Sequence, residues 1–132
     1  MSKKPVLICA MTLREPPATP EGPLWPMQAY GVRREELGIA GVTFTIYLLF
    51  TDGQGEWPVE VNLLTIDGKP SGRPLPATVF LEDALSIAAV AIDTGIRISR
   101  FGYNWITVDL GGETVARVPF HIFELESEGE ST

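Results

Sequence analysis

The stretch from Phe101 to Phe123 constrains this chain more than any other. Tyr103, Trp105 and Thr107 alternate with Asn104, Ile106 and Val108, and the chain then meets Gly111-Gly112. On the far side Ala116, Val118, Phe120 and Ile122 recur at every second position. Period-two patterning on both sides of a Gly-Gly pair predicts a β-hairpin, because glycine reaches the positive φ values that tight hairpin turns demand. The Ala116-to-Ile122 row is expected in a core and His121 on the opposite face. The chain therefore reads as an all-β domain.

Other segments carry the same pattern. Val42, Phe44, Ile46, Leu48 and Phe50 point one way along a strand and Thr43, Thr45, Tyr47 and Thr51 the other, predicting one core face and one surface face. After the turn residues Asp52-Gly53-Gln54-Gly55, the residues Val59, Val61 and Leu63 alternate with Glu60 and Asn62, which suggests a second hairpin with the preceding strand. Pro5 to Leu13 is apolar enough for a strand buried on both faces or lying along a sheet edge. Ser86 to Asp93, with Ile87, Ala89 and Ala91 set against Ala88, Val90 and Ile92, also reads as a strand buried on both sides. Val32 to Leu37 predicts a single helical turn ended by Gly38. Pro74 and Pro76 exclude a central strand after the Asp67-Gly68 turn.

Between the first strand and Met27, the segment Arg14 to Pro26 holds Pro16, Pro17, Pro20, Pro23 and Pro26. Proline removes backbone donors and fixes φ, so a long Pro-rich loop after the first strand is expected. About seven short strands separated by turn signals predict an antiparallel immunoglobulin-like β-sandwich, with a partly open barrel as the second choice.

The 132 residues fit one domain over residues 1–126, followed by an acidic tail over 127–132 carrying Glu128 and Glu130. A net charge of −7 argues against a chain that lives on phosphate backbones, so no nucleic-acid partner is expected. Cys9 is the only cysteine, which excludes an intrachain disulfide, and its apolar neighbours predict a buried, inert thiol. The apolar run after Lys3-Lys4 is too short for a secretion signal, and no stretch approaches the roughly 20 apolar residues of a membrane span. A cytoplasmic protein with no membrane partner is the expectation.

The order of pieces resembles a family of small bacterial β-sandwich proteins, a domain of unknown function. The resemblance rests on an apolar first strand ending near Cys9, a strand like Phe44 to Phe50, a strand like Val59 to Ile66 before Asp67-Gly68, and Gly102-Tyr103-x-Trp105-x-Thr107-Val108 leading to Val118-Pro119-Phe120. It spans about Phe44 to Phe123. It implies the immunoglobulin-like fold and no activity, cofactor or functional residue.

Catalytic constellations are not visible. His121 is the only histidine, so a zinc site, which draws on several Cys and His, is not expected, and no catalytic residue is assigned. Asp52, Glu56, Asp67, Glu82 and Asp83 sit at turns without calcium-loop spacing, where ordinary turn chemistry explains them. No cofactor or metal is expected. Three aromatics occupy positions where a small sandwich presents a binding edge: Trp25 among the loop prolines, Tyr30 soon after, and Trp57 before Pro58. Such side chains anchor partners or cap the ends of a core. The leading expectation is a non-enzymatic binding or protein-interaction module. The alternative is a homo-oligomer that pairs strand edges and covers Leu49, Val115 and Phe123, and an enzyme with a carboxylate site ranks last.

Overall fold

A computed structural model describes residues 2–19 and 22–126. The acidic tail lies outside these residues, as do Pro20 and Glu21 of the Pro-rich segment. The described residues contain no α-helix and eight strands: β1 (Val6–Leu13), β2 (Ala29–Val32), β3 (Gly41–Thr51), β4 (Gly55–Leu64), β5 (Leu75–Leu81), β6 (Ile87–Arg97), β7 (Gly102–Leu110) and β8 (Glu113–Glu124). They form a three-stranded sheet in the order β1-β3-β6 and a five-stranded sheet in the order β2-β8-β7-β4-β5. The predicted helical turn is a short 3-10 segment, Arg34–Glu36, with the Glu36 carboxylate accepting from the Arg33 amide at 2.9 Å.

The hairpin forms as the sequence suggests. Leu110 faces Glu113 across Gly111 and Gly112, whose φ values of +60° and +86° are those of a tight hairpin turn. A bulge follows at once: Val108 pairs with Ala116 but Asp109 with Thr114, leaving Val115 as the extra residue. Beyond it Val118, Phe120 and Ile122 are buried and Ala116 packs against the same core.

The expected hairpin between β3 and β4 is not formed. β3 pairs with β1 and β6, while β4 pairs with β5 and β7 in the other sheet. Alternation reports which face of a strand is buried, not which strand lies beside it. Here the turn after Thr51 carries the chain from one layer to the other, so the apolar rows of β3 and β4 meet across the core instead of side by side.

One core joins the sheets. Phe44, Ile46, Leu48 and Phe50 of β3 oppose Val59 and Val61 of β4, Ile106 and Val108 of β7, and Phe120 and Ile122 of β8. The Phe44 and Phe120 rings stack across the gap with centroids 4.9 Å apart. The second face of β3 is not simply surface, because Thr45 and Tyr47 are buried as well. Thr45 donates its hydroxyl to the Asp93 carboxylate of β6 at 2.6 Å, which satisfies it away from water.

Edges are handled as the prolines require. β5 carries Pro76 at the rim of the larger sheet, where no further strand needs its missing donor. β2 was not foreseen. Its four residues pair parallel to β8, and Arg34 just beyond them makes a two-point ion pair with Glu124 at 2.9 and 3.1 Å.

Candidate ligand pocket at one end of the core

The two ends of the core differ. At the end that holds the Thr51-to-Gly55 turn, Trp57 lies on the same row of β4 as Val59 and Val61 and packs against the core. Its indole N–H donates to the Gln54 carbonyl at 3.0 Å, and Gly111 of the hairpin turn lies against its ring. The N-terminal residues close over this end: Lys3 and Gln54 exchange two backbone hydrogen bonds of 2.9 Å, and Lys4 donates to Glu113 at 2.9 Å.

The opposite end is open. A pocket of about 330 Å³ lies where β4 and β6 finish and β7 begins. Its apolar floor is core: Phe44, Leu63, Ile98, Ile106, Phe120 and Ile122. The backbone returns over it in a small flap, with Thr65 donating to the Lys69 carbonyl at 2.8 Å and Ser71 to the Leu63 carbonyl at 2.6 Å. Asp67 at the flap tip accepts from Arg100 in the β6–β7 connection at 2.6 Å. Both side chains are more than half exposed (56% and 53%), so the bridge is a weak closure worth about 0–1 kcal/mol.

Gly102 fixes the shape of this rim. Its φ of +126° is rarely open to side-chain-bearing residues, and a Cβ there would stand 3.0 Å from Ile66 Cδ1. The absence of a side chain lets the flap seat Ile66 directly against β7.

The charge at the rim is opposite to that of the chain. Lys69, Arg97 and Arg100 line the pocket with Asp67 as the sole carboxylate, in a protein of net charge −7. Lys69 and Arg97 have no ion-pair partner among the described residues. Asn104 adds a neutral polar group. It occupies the inward row of β7, opposite Phe120, and its amide has no protein partner among the described residues. An apolar floor with a few convergent polar groups is the usual make-up of a small-molecule site.

The aromatics singled out in the sequence are not brought together here. Trp25 is 58% exposed beside β1, its carbonyl accepting from the Arg14 amide at 2.9 Å. Tyr30 sits on β2 and packs against the core, and Trp57 fills the other end. None of the three lines the pocket. His121 faces outward, stacked on Tyr103 with centroids 4.5 Å apart and tilted against Phe123. Arg117 lies 3.9 Å above the Trp105 ring on the same outer face. Cys9 is only half-buried, because its row of β1 faces away from the core. Asp83 does turn work, accepting from the Leu85 amide at 2.9 Å. No group of three or more His, Cys, Asp and Glu positioned for a metal occurs among the described residues. No helix among them is long and apolar enough to cross a membrane.

The pocket residues escaped the sequence reading because they come from four separated stretches. One signal was present: Asn104 is the only polar side chain in the row Asn104, Ile106, Val108, Leu110.

No protein-family model matches the chain, and no curated protein matches it. Among solved structures it is similar to the Pseudomonas fluorescens alkylpurine DNA glycosylase AlkC bound to DNA containing an abasic site analog, at 13% identity and a TM-score of 0.44. The match covers 92% of this chain and 31% of that one. The expectation that nucleic acid is no partner is corrected by this finding, since the similar protein is held on DNA. The physical reason is that net charge is a sum over the whole chain: a net −7 coexists with a local cationic rim, so it does not decide which anions a surface meets. At this level of likeness the match assigns no function to the chain.

Proposed function

We propose that the chain is a non-enzymatic binding module built on an immunoglobulin-like sandwich, and that its ligand is a small molecule with an apolar body and an anionic head, held in the pocket at the open end. The strand order supports the fold assignment. With β2 taken as a split-off part of the first strand, β1, β3 and β6 stand where strands A, B and E stand in such domains, and β8, β7, β4 and β5 where G, F, C and C′ stand.

The observation that carries the ligand reading is the pairing of an apolar floor with unpaired cations. Phe44, Phe120 and Ile122 offer no hydrogen bonds and favour a hydrocarbon, while Lys69 and Arg97 at the rim have charge to satisfy. Arg100 becomes a third donor when an incoming carboxylate displaces Asp67. The volume of about 330 Å³ is at the small end of ligand sites, which suits a short acyl chain.

Calorimetric titration with octanoate, octanol and octylammonium tests this. Octanoate is expected to bind most tightly and octylammonium least. Arg97→Ala combined with Arg100→Ala is expected to weaken octanoate by about tenfold or more and to leave octanol almost unchanged. Equal binding of all three, or none, overturns the proposal.

A further inference from the structure

Asn104 differs from every other polar residue of the pocket in where the fold puts it. The rest belong to the flap over residues 65–71, to Arg97 at the end of β6, or to the β6–β7 connection, and so stand at the rim. Asn104 lies inside that ring, two residues along β7 from Gly102, or roughly 7 Å of strand. Its surroundings on the inner face are apolar. Ile66 lies against Gly102 before it, Ile106 follows it in the same row, and Phe120 stands across from it on β8. The side chain is half-buried, and its amide has no protein partner among the described residues.

We infer that Asn104 sets the specificity of the pocket: the ligand carries a hydroxyl on its chain, a few carbons from the anionic head, and the Asn104 amide holds it. This rests on the proposed reading of the pocket as a site for an anion with an apolar body. Solvent serves the amide through the open mouth. A plain hydrocarbon laid along Ile106 and Phe120 takes that solvent away and returns no hydrogen bond, which costs affinity. A hydroxyl beside the amide removes the cost. It donates to Oδ1 or accepts from Nδ2, and unlike an amine it adds no positive charge near Lys69 and Arg97. A site built to bond a hydroxyl rejects the analogue that lacks it, whereas an apolar site barely senses one added methylene. The amide is on one wall only. The three-stranded sheet contributes Phe44 and Ile98 to the lining, which offer a hydroxyl nothing, so the two enantiomers of a hydroxy acid are not equivalent here.

The test is calorimetric titration of the full chain with octanoate, the separate enantiomers of 3- and 5-hydroxyoctanoate, and 8-hydroxyoctanoate. One enantiomer of the 3- or 5-hydroxy acid is expected to bind about tenfold more tightly than octanoate, and its mirror image no better than octanoate. The 8-hydroxy acid, whose hydroxyl falls on the apolar floor, is expected to bind more weakly than octanoate. Asn104→Leu extends the apolar row of Ile106, Val108 and Leu110, so circular dichroism and Tm are expected to remain those of a folded protein. In this variant octanoate is expected to bind more tightly and the preference between enantiomers to vanish. Arg97→Ala combined with Arg100→Ala is expected to weaken all the acids alike and to keep the preference. Octanoate binding with no gain from a hydroxyl at either position overturns this inference and leaves the pocket reading standing. A preference that survives Asn104→Leu overturns it as well. Binding of none of the acids overturns both.

Discussion

The two ends of the core are built from the same kinds of strand and finished in opposite ways. At one end Trp57 packs half-buried against the core and the N-terminal residues strap across the neighbouring turn. At the other the flap over residues 65–71 stands beside an open pocket, and its tip is tied to the β6–β7 connection by one exposed ion pair. The difference separates stability from recognition. A large half-buried ring packed on the core strengthens the fold at one end, and the unfilled space at the other is available to a ligand.

The largest expected effect is at the plugged end. Trp57→Ala removes the plug and its hydrogen bond to Gln54, and chemical denaturation is expected to show a loss of about 3 kcal/mol. Trp25→Ala, which removes an exposed ring, is expected to leave the unfolding midpoint nearly where it was. Equal effects of the two would remove the distinction drawn between them.

Gly102→Ala comes next, and it acts at the open end. A side chain at φ +126° and 3.0 Å from Ile66 forces the flap outward, at a cost of about 1–3 kcal/mol. Octanoate affinity is expected to fall with it, since the rim loses its shape.

Smaller effects follow from the ion pair. Asp67→Ala leaves Arg100 without its competitor and is expected to tighten octanoate by roughly two- to fivefold, with stability changed by less than about 1 kcal/mol. Arg100→Ala changes stability as little and weakens octanoate. Movement in the same direction by both variants would show that the bridge does not guard the pocket.

The smallest effect is a pH dependence at the strapped end. Hydrogen bonding to Lys4, and then its charge, hold the Glu113 carboxyl below its ordinary range. A carboxyl lowered in the folded state binds fewer protons there than in the unfolded chain. Its contribution is therefore complete above the ordinary carboxylate range and is lost as pH falls through the lowered value. Between about pH 6 and about pH 3 the Tm of the wild type is expected to fall slightly more than that of Glu113→Gln. The group is mostly solvent-exposed, so the difference is near the limit of calorimetric resolution.

The sequence carried the β character and the long hairpin because both are written locally, in alternation and in a Gly-Gly pair. The same alternation led to a β3–β4 hairpin that does not form, since Val42-to-Thr51 and Val59-to-Leu63 report a shared core without saying from which side each strand reaches it. β2 was illegible for a different reason: four residues are too few for a period, and its partners in β8 lie 92 residues away. The pocket was hidden by the same distance, because Phe44, Leu63, Arg97 and Asn104 meet only when both sheets are in place. Asn104 was its single local trace, a polar residue in an apolar row.

The most direct test of the account is an amide NMR titration of the full chain with octanoate. The Asn104 side-chain amide is expected to shift, while the Trp57 indole N–H stays fixed on its Gln54 carbonyl. Shifts centred on Trp57, or no shifts at all, would contradict the assignment of the open end as the binding site.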